Sequence, residues 1–139
     1  MLEIKDAITI DCEDMLMRED EVQEVLEEYF TNQGYRCVHE KQGVDLIATH
    51  RVKETWVIEA KGDTSSIRVD FCTCAGQLLG RIKEPGCNYG IAVPYTKQYI
   101  NQARQLSHYV RKQLNLYIIY VNEEKEVLIE APDEDFELL

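Results

Sequence analysis

The chain has 139 residues, enough for one domain with a real core and too few for two. Its 15 Lys and Arg against 26 Asp and Glu give a net charge of -11, which at first sight argues against a phosphate-binding protein. No stretch approaches the ~20 apolar residues of a membrane span, and no basic region followed by an apolar run opens the chain, so a soluble, cytoplasmic protein without a membrane partner is expected.

From Arg18 to Gln33 the apolar residues Val22, Val25, Leu26, Tyr29 and Phe30 recur at helical spacing, and Asn32-Gln33-Gly34 ends the pattern. Tyr35 to His39, GVDLIAT (43–49) and TWVIEAK (55–61) read as three short strands, with HRVKE as the turn between the last two. Those spacings suit an antiparallel meander. Ser66 to Lys83 is helical, with Ile67, Phe71, Cys74, Ala75, Leu78, Leu79 and Ile82 on one face and Asp70, Gln77 and Arg81 along its border. Pro85-Gly86 breaks it, and YGIAVP (89–94) follows as a strand apolar enough to be buried on both sides. Thr96 can cap one further helix carrying Ile100, Ala103, Leu106, Val110 and Leu114. LYIIYVN and EVLIEA form a closing hairpin around Glu123-Glu124-Lys125. The order α-β-β-β-α-β-α-β-β predicts an α/β fold, a mixed central sheet flanked by helices, as one domain over 1–139.

Five Cys (Cys12, Cys37, Cys72, Cys74, Cys87) in an odd count without framework spacing read as reduced residues that mostly pack. The charge is unevenly spread. Residues 1–30 carry eleven acids and two bases, 122–139 eight acids and one base, but 31–121 seven acids and twelve bases. A mildly basic body thus lies between two acidic ends, the second including the tail 132–139, which reads as partly disordered and solvated. The less common role of such ends is shielding a basic groove or docking a basic protein partner.

Asp45 and Glu59 stand where apolar residues are expected. Glu59 and Lys61, two apart, project from the same side of a strand, while Trp56 and Ile58 point to the other side and read as core. Asp45, early in the neighbouring strand, can approach Glu59 across a hairpin. Two carboxylates and the Ala60 backbone carbonyl make a set of hard oxygens, the set that Mg²⁺ selects. Lys61 beside them can hold or deprotonate a water and offset charge on a phosphate. The alternative is a surface Glu-x-Lys ion pair, against which stands the apolar company of both acids. Arg51, Lys53, Arg68 and Arg81 are candidates for phosphate contacts from the rim or simply solvated charges, and His50 is either a turn residue or within reach of substrate.

GVDLIA, thirteen intervening residues and then EAK resembles the motif of the PD-(D/E)XK nuclease superfamily, which includes Holliday-junction resolvases, Mrr-type restriction enzymes and XisH-type factors. The preceding helix, the Gln-bearing helix AGQLLGRI and the YGIAVP strand fit the same layout, so the resemblance spans roughly 18–121. It implies a restriction-endonuclease-like fold, metal ligands at Asp45, Glu59 and the Ala60 carbonyl, a catalytic Lys61, and Gln77 as a polar support near the water or phosphate. It implies Mg²⁺, with Mn²⁺ as a substitute. Many members place a Glu on the first helix where this chain has Gln23, with Glu24 beside it as a candidate further ligand and Glu21 one turn away. The expected function is a small metal-dependent endonuclease hydrolysing DNA, cutting as a homodimer because two sites are needed to break both strands. RNA as substrate stays open. The alternative is a catalytically silent nuclease-fold subunit acting with a protein partner.

Overall fold

The computed structural model describes residues 17–41 and 44–135, so Cys12, with the rest of residues 1–16, and the last four residues of the tail lie outside the described residues. Helix α1 (Glu19–Asn32) buries Val22, Leu26 and Phe30, and its first turn holds Glu19, Asp20 and Glu21, whose charges complement the helix dipole. It ends where Gly34 turns back at φ 91°, a conformation glycine adopts without strain. Strands β1 (Arg36–Lys41), β2 (Val44–Thr49) and β3 (Trp56–Ala60) pair antiparallel, as the spacing predicts. Helix α2 (Ile67–Arg81) returns to β4 (Asn88–Pro94), which lies parallel to β3 and to β5 (Leu116–Val121), and β6 (Val127–Glu130) closes the sheet antiparallel to β5. The six strands run in sequence order, so the sheet is mixed and continuous.

The sheet divides two cores. On one face, Leu46, Ala48, Trp56, Ile58, Ala92 and Ile119 pack against α1, with Trp56 wedged between Phe30 and Tyr117. On the other, Ile91, Val93, Ile118 and Tyr120 pack against Phe71, Cys74 and Leu78 of α2 and against Tyr99, Ile100 and Ala103. β4 is covered on both sides, the reason its sequence is an uninterrupted apolar run.

The single helix expected after Thr96 is two helices: α3 (Lys97–Ala103) and α4 (His108–Leu114). The apolar positions continue in register, but Ser107 takes an extended backbone and its hydroxyl accepts the Val110 N–H at 3.2 Å, starting a new helix. The break rotates the second piece. Val110 becomes 38% exposed and Arg111, 1% exposed, takes the inward place, its Nε donating to the Leu106 carbonyl at 2.8 Å.

One glycine positions everything that follows. Gly62, just after β3, lies against the start of α1 so closely that a Cβ there would stand 2.4 Å from Glu19 N and 2.6 Å from Met17 O. Around it Asp63 N–H donates to Met17 O (2.7 Å), and the Tyr99 hydroxyl donates to Gly62 O (2.6 Å). Gly62→Ala is therefore expected to cost roughly 1–3 kcal/mol in urea unfolding. Gly76→Ala on α2, where a Cβ meets nothing within 4 Å, should be neutral or stabilise by up to about 1 kcal/mol. Equal effects at the two positions would refute the close-packing account.

Candidate active site

The β2–β3 register pairs Leu46 with Ile58, so one step further Asp45 stands opposite Glu59 with both side chains on the α2 face of the sheet. The regular ladder stops there. Asp45 Oδ2 accepts the Ala60 N–H at 2.7 Å, taking the place of a main-chain acceptor. Lys61 N–H donates to Ala92 O on β4 at 2.9 Å, and since strand amides alternate sides, the Ala60 carbonyl points with its own N–H to the β2 side. The sheet edge thus gathers two carboxylates and a carbonyl.

Glu59 is only 3% exposed. Burial first, then the charge and shared hydrogen bond of Asp45, push its carboxyl up to about 7, while Arg81 and Lys61 act the other way. The Cys74 thiol, packed under the pair, is pushed far above its ordinary range by burial and then by the charge of Glu59, which leaves it inert as a nucleophile. Arg81 Nε lies 3.9 Å from Glu59 Oε1, too far for a hydrogen bond, and that oxygen makes none among the described residues. Lys61 Nζ lies 3.6 Å from Glu19 Oε1.

Such a pair suits a divalent cation: two mutually repelling carboxylates, one with a buried oxygen that makes no hydrogen bond among the described residues, beside a main-chain carbonyl. Among the described residues no group of three or more His, Cys, Asp and Glu side chains is arranged to hold an ion.

Of the residues singled out in the sequence, Asp45, Glu59, Ala60 and Lys61 come together. Gln77 is exposed on α2, one turn before Arg81 on the same helix face. Glu24 is exposed on α1. The α1 carboxylate that reaches Lys61 is Glu19, brought there by the Gly62 contact. No local pattern marks Glu19; its one sequence hint is the small residue following Lys61. Arg51 and Lys53 are exposed in the turn at the opposite end of β2 and β3 from Asp45 and Glu59. His50 belongs to that turn as well, its Nδ1 accepting the N–H groups of Val52 (3.1 Å) and Lys53 (3.3 Å) while its ring packs on Tyr35.

A crystal structure of an XisH family protein from Nostoc punctiforme matches with a TM-score of 0.53 at 18% identity, covering 77% of this chain and 95% of that one, a likeness of fold. No curated protein matches the sequence. The family model of the Mrr catalytic domain, described as a restriction endonuclease, matches residues 15–121. That span runs from the approach to α1 to the last residue of β5 and takes in the whole carboxylate site, and the chain belongs to this restriction-endonuclease family.

Proposed function

We propose that the protein is a metal-dependent endonuclease that hydrolyses DNA phosphodiester bonds. The observation that carries this reading is the Asp45–Glu59 pair, in which Glu59 is buried, its Oε1 makes no hydrogen bond among the described residues, and the two charges repel. A pure scaffold gains nothing from such a pair, because buried charge costs stability unless compensated. Asp45, Glu59 and the Ala60 carbonyl would hold Mg²⁺ or Mn²⁺, which when bound supplies a more acidic water and offsets charge on the phosphate. Lys61, at the strand end beside them, orients that water or holds a phosphate oxygen. Gln77 supplies an amide on the neighbouring helix face as polar support. The twelve bases of residues 31–121 offer the backbone attraction, and the acidic ends repel DNA from other surfaces or dock a protein partner. Breaking both strands calls for a homodimer, for which the exposed Val69 and Leu79 of α2 offer apolar surface.

Calorimetric titration of Mg²⁺ and Mn²⁺ into wild type, Glu59→Ala and Lys61→Ala, with DNA cleavage followed on the same samples, tests this. Glu59→Ala should lose both ion binding and cleavage. Lys61→Ala should keep ion binding and lose about 100-fold or more in cleavage. One observation favours a second reading, a silent nuclease-fold subunit: the Arg81 guanidinium already approaches Glu59 as a positive partner. Ion binding without cleavage in the wild type would establish that subunit instead.

A further inference from the structure

Lys61 stands just beyond the end of β3, and from there to Ser66 the backbone belongs to no helix or strand. The lysine is carried by irregular chain, and its flexible four-carbon arm passes any movement of that chain on to the ammonium. Three elements hold the segment in place. β4 takes the Lys61 N–H on Ala92 O at 2.9 Å, and the approach to α1 takes the Asp63 N–H on Met17 O at 2.7 Å, with Asp63 Oδ2 accepting the Met17 N–H at 3.2 Å in return. The third contact falls between these two and comes from α3, where the Tyr99 hydroxyl donates to Gly62 O at 2.6 Å. Tyr99 is itself firmly fixed. Its ring, 0% exposed, shares a core with Phe71, Cys74 and Ile91, and its N–H is taken by Thr96 Oγ1 at 3.2 Å. α3 begins three residues after β4, the parallel neighbour of β3, so the tyrosine is rooted beside the strand end from which Lys61 departs. Burial, then the charges of Asp63 and Asp70, push the ionisation of its hydroxyl up, which keeps it a donor. A phenylalanine would fill the same place in the core; the bond to Gly62 is what the oxygen adds.

We propose that Tyr99 is a positioning residue for Lys61: through the Gly62 carbonyl its hydroxyl holds the chain at the end of β3, so that the lysine ammonium stays in place for the water and the phosphate. This rests on the endonuclease reading above. Tyr99 is wholly buried and touches neither ion nor DNA, so its loss slows the reaction without weakening the binding of either. A reactive group carried beyond the end of a strand needs such support from neighbouring elements, because small displacements at a reacting centre cost rate steeply.

The test is a double-mutant cycle on the full chain: wild type, Tyr99→Phe, Lys61→Ala and the pair, each assayed for Mg²⁺-dependent cleavage of a DNA duplex, for Mg²⁺ binding by calorimetry and for unfolding in urea. Tyr99→Phe should lower kcat about tenfold while KM and Mg²⁺ affinity stay within about twofold of wild type. Ile100→Val trims a buried side chain of the same helix, controls for lost stability and should keep wild-type kcat. In the Lys61→Ala background Tyr99→Phe should slow cleavage no further, because the lysine it holds is gone. A role in the fold alone would slow both backgrounds by the same factor. Equal factors in the two backgrounds, wild-type kcat in Tyr99→Phe, a matching loss of kcat in Ile100→Val, or a Tyr99→Phe protein unfolded at the assay temperature would each overturn the proposal and leave the metal site standing. If wild type shows no Mg²⁺-dependent cleavage, the endonuclease reading is refuted and this proposal falls with it.

Discussion

Glu59→Gln is expected to make the metal-free protein more stable at pH 8 than the wild type, while abolishing metal-dependent cleavage. The Glu59 carboxyl lies at about 7 in the folded chain against an ordinary 4.5, so between those values the folded state holds a proton that the unfolded state has released. Stability is therefore fully present below the ordinary value and falls as pH rises through about 7. At about 1.4 kcal/mol per pH unit, the loss for so deeply buried a group is on the order of 3 kcal/mol. Gln carries no charge to desolvate, so urea unfolding of the variant should lack this fall, and the difference between the two proteins should grow from pH 5 to pH 8. Mg²⁺ should recover much of the loss in the wild type at pH 8, have little effect at pH 5, and do nothing for the variant. Parallel stability curves would mean that Glu59 is solvated or fully balanced by Arg81 and Lys61, and would remove the electrostatic argument for a cation.

Arg111→Ala is expected to be the most damaging single change to the fold, at about 3–5 kcal/mol. The guanidinium is 1% exposed and donates to Glu130 Oε1 (2.9 Å), Asp135 Oδ1 (2.8 Å), Glu134 O (3.0 Å) and Leu106 O (2.8 Å). It ties α4 to β6, to the α3–α4 turn and to the start of the acidic tail. Truncation deprives Glu130, itself 2% exposed, of this cation, so an ionised carboxylate is left in the core. The double replacement Arg111→Met with Glu130→Met removes both charges and should recover most of the stability, since apolar groups of similar volume can replace a buried pair. A single variant within about 1 kcal/mol of wild type in chemical denaturation would contradict the network.

The Arg111 network also corrects a reading of the tail. In the sequence, the acids after Ala131 look like a solvated flank. Through Asp135, however, the segment is held by Arg111 and by His108, whose Nε2 lies 2.8 Å from Asp135 Oδ2. Composition carries no sign of this, because what distinguishes Asp135 from its neighbours is a guanidinium 24 residues away.

Periodicity and punctuation in the chain were enough for the helices and strands, because amphipathic spacing, Gly34, Pro85-Gly86 and the Glu123–Lys125 turn act within a few residues. They were enough to place Asp45, Glu59 and Lys61 near one another too, since a hairpin turns a short sequence separation into a cross-strand pair. The motif on those strands pointed to the nuclease family for the same local reason. What depended on the packed molecule is the interruption between α3 and α4, where a serine cap and a buried arginine outweigh continuous apolar spacing. So did the choice of Glu19 over Glu24 at Lys61, set by how closely Gly62 lets α1 approach the end of β3. The meeting of Arg81 with Glu59 belongs here as well, because it depends on how α2 crosses the sheet. Long-range contacts follow from the placement of whole elements, and no residue pattern within a single element encodes that placement.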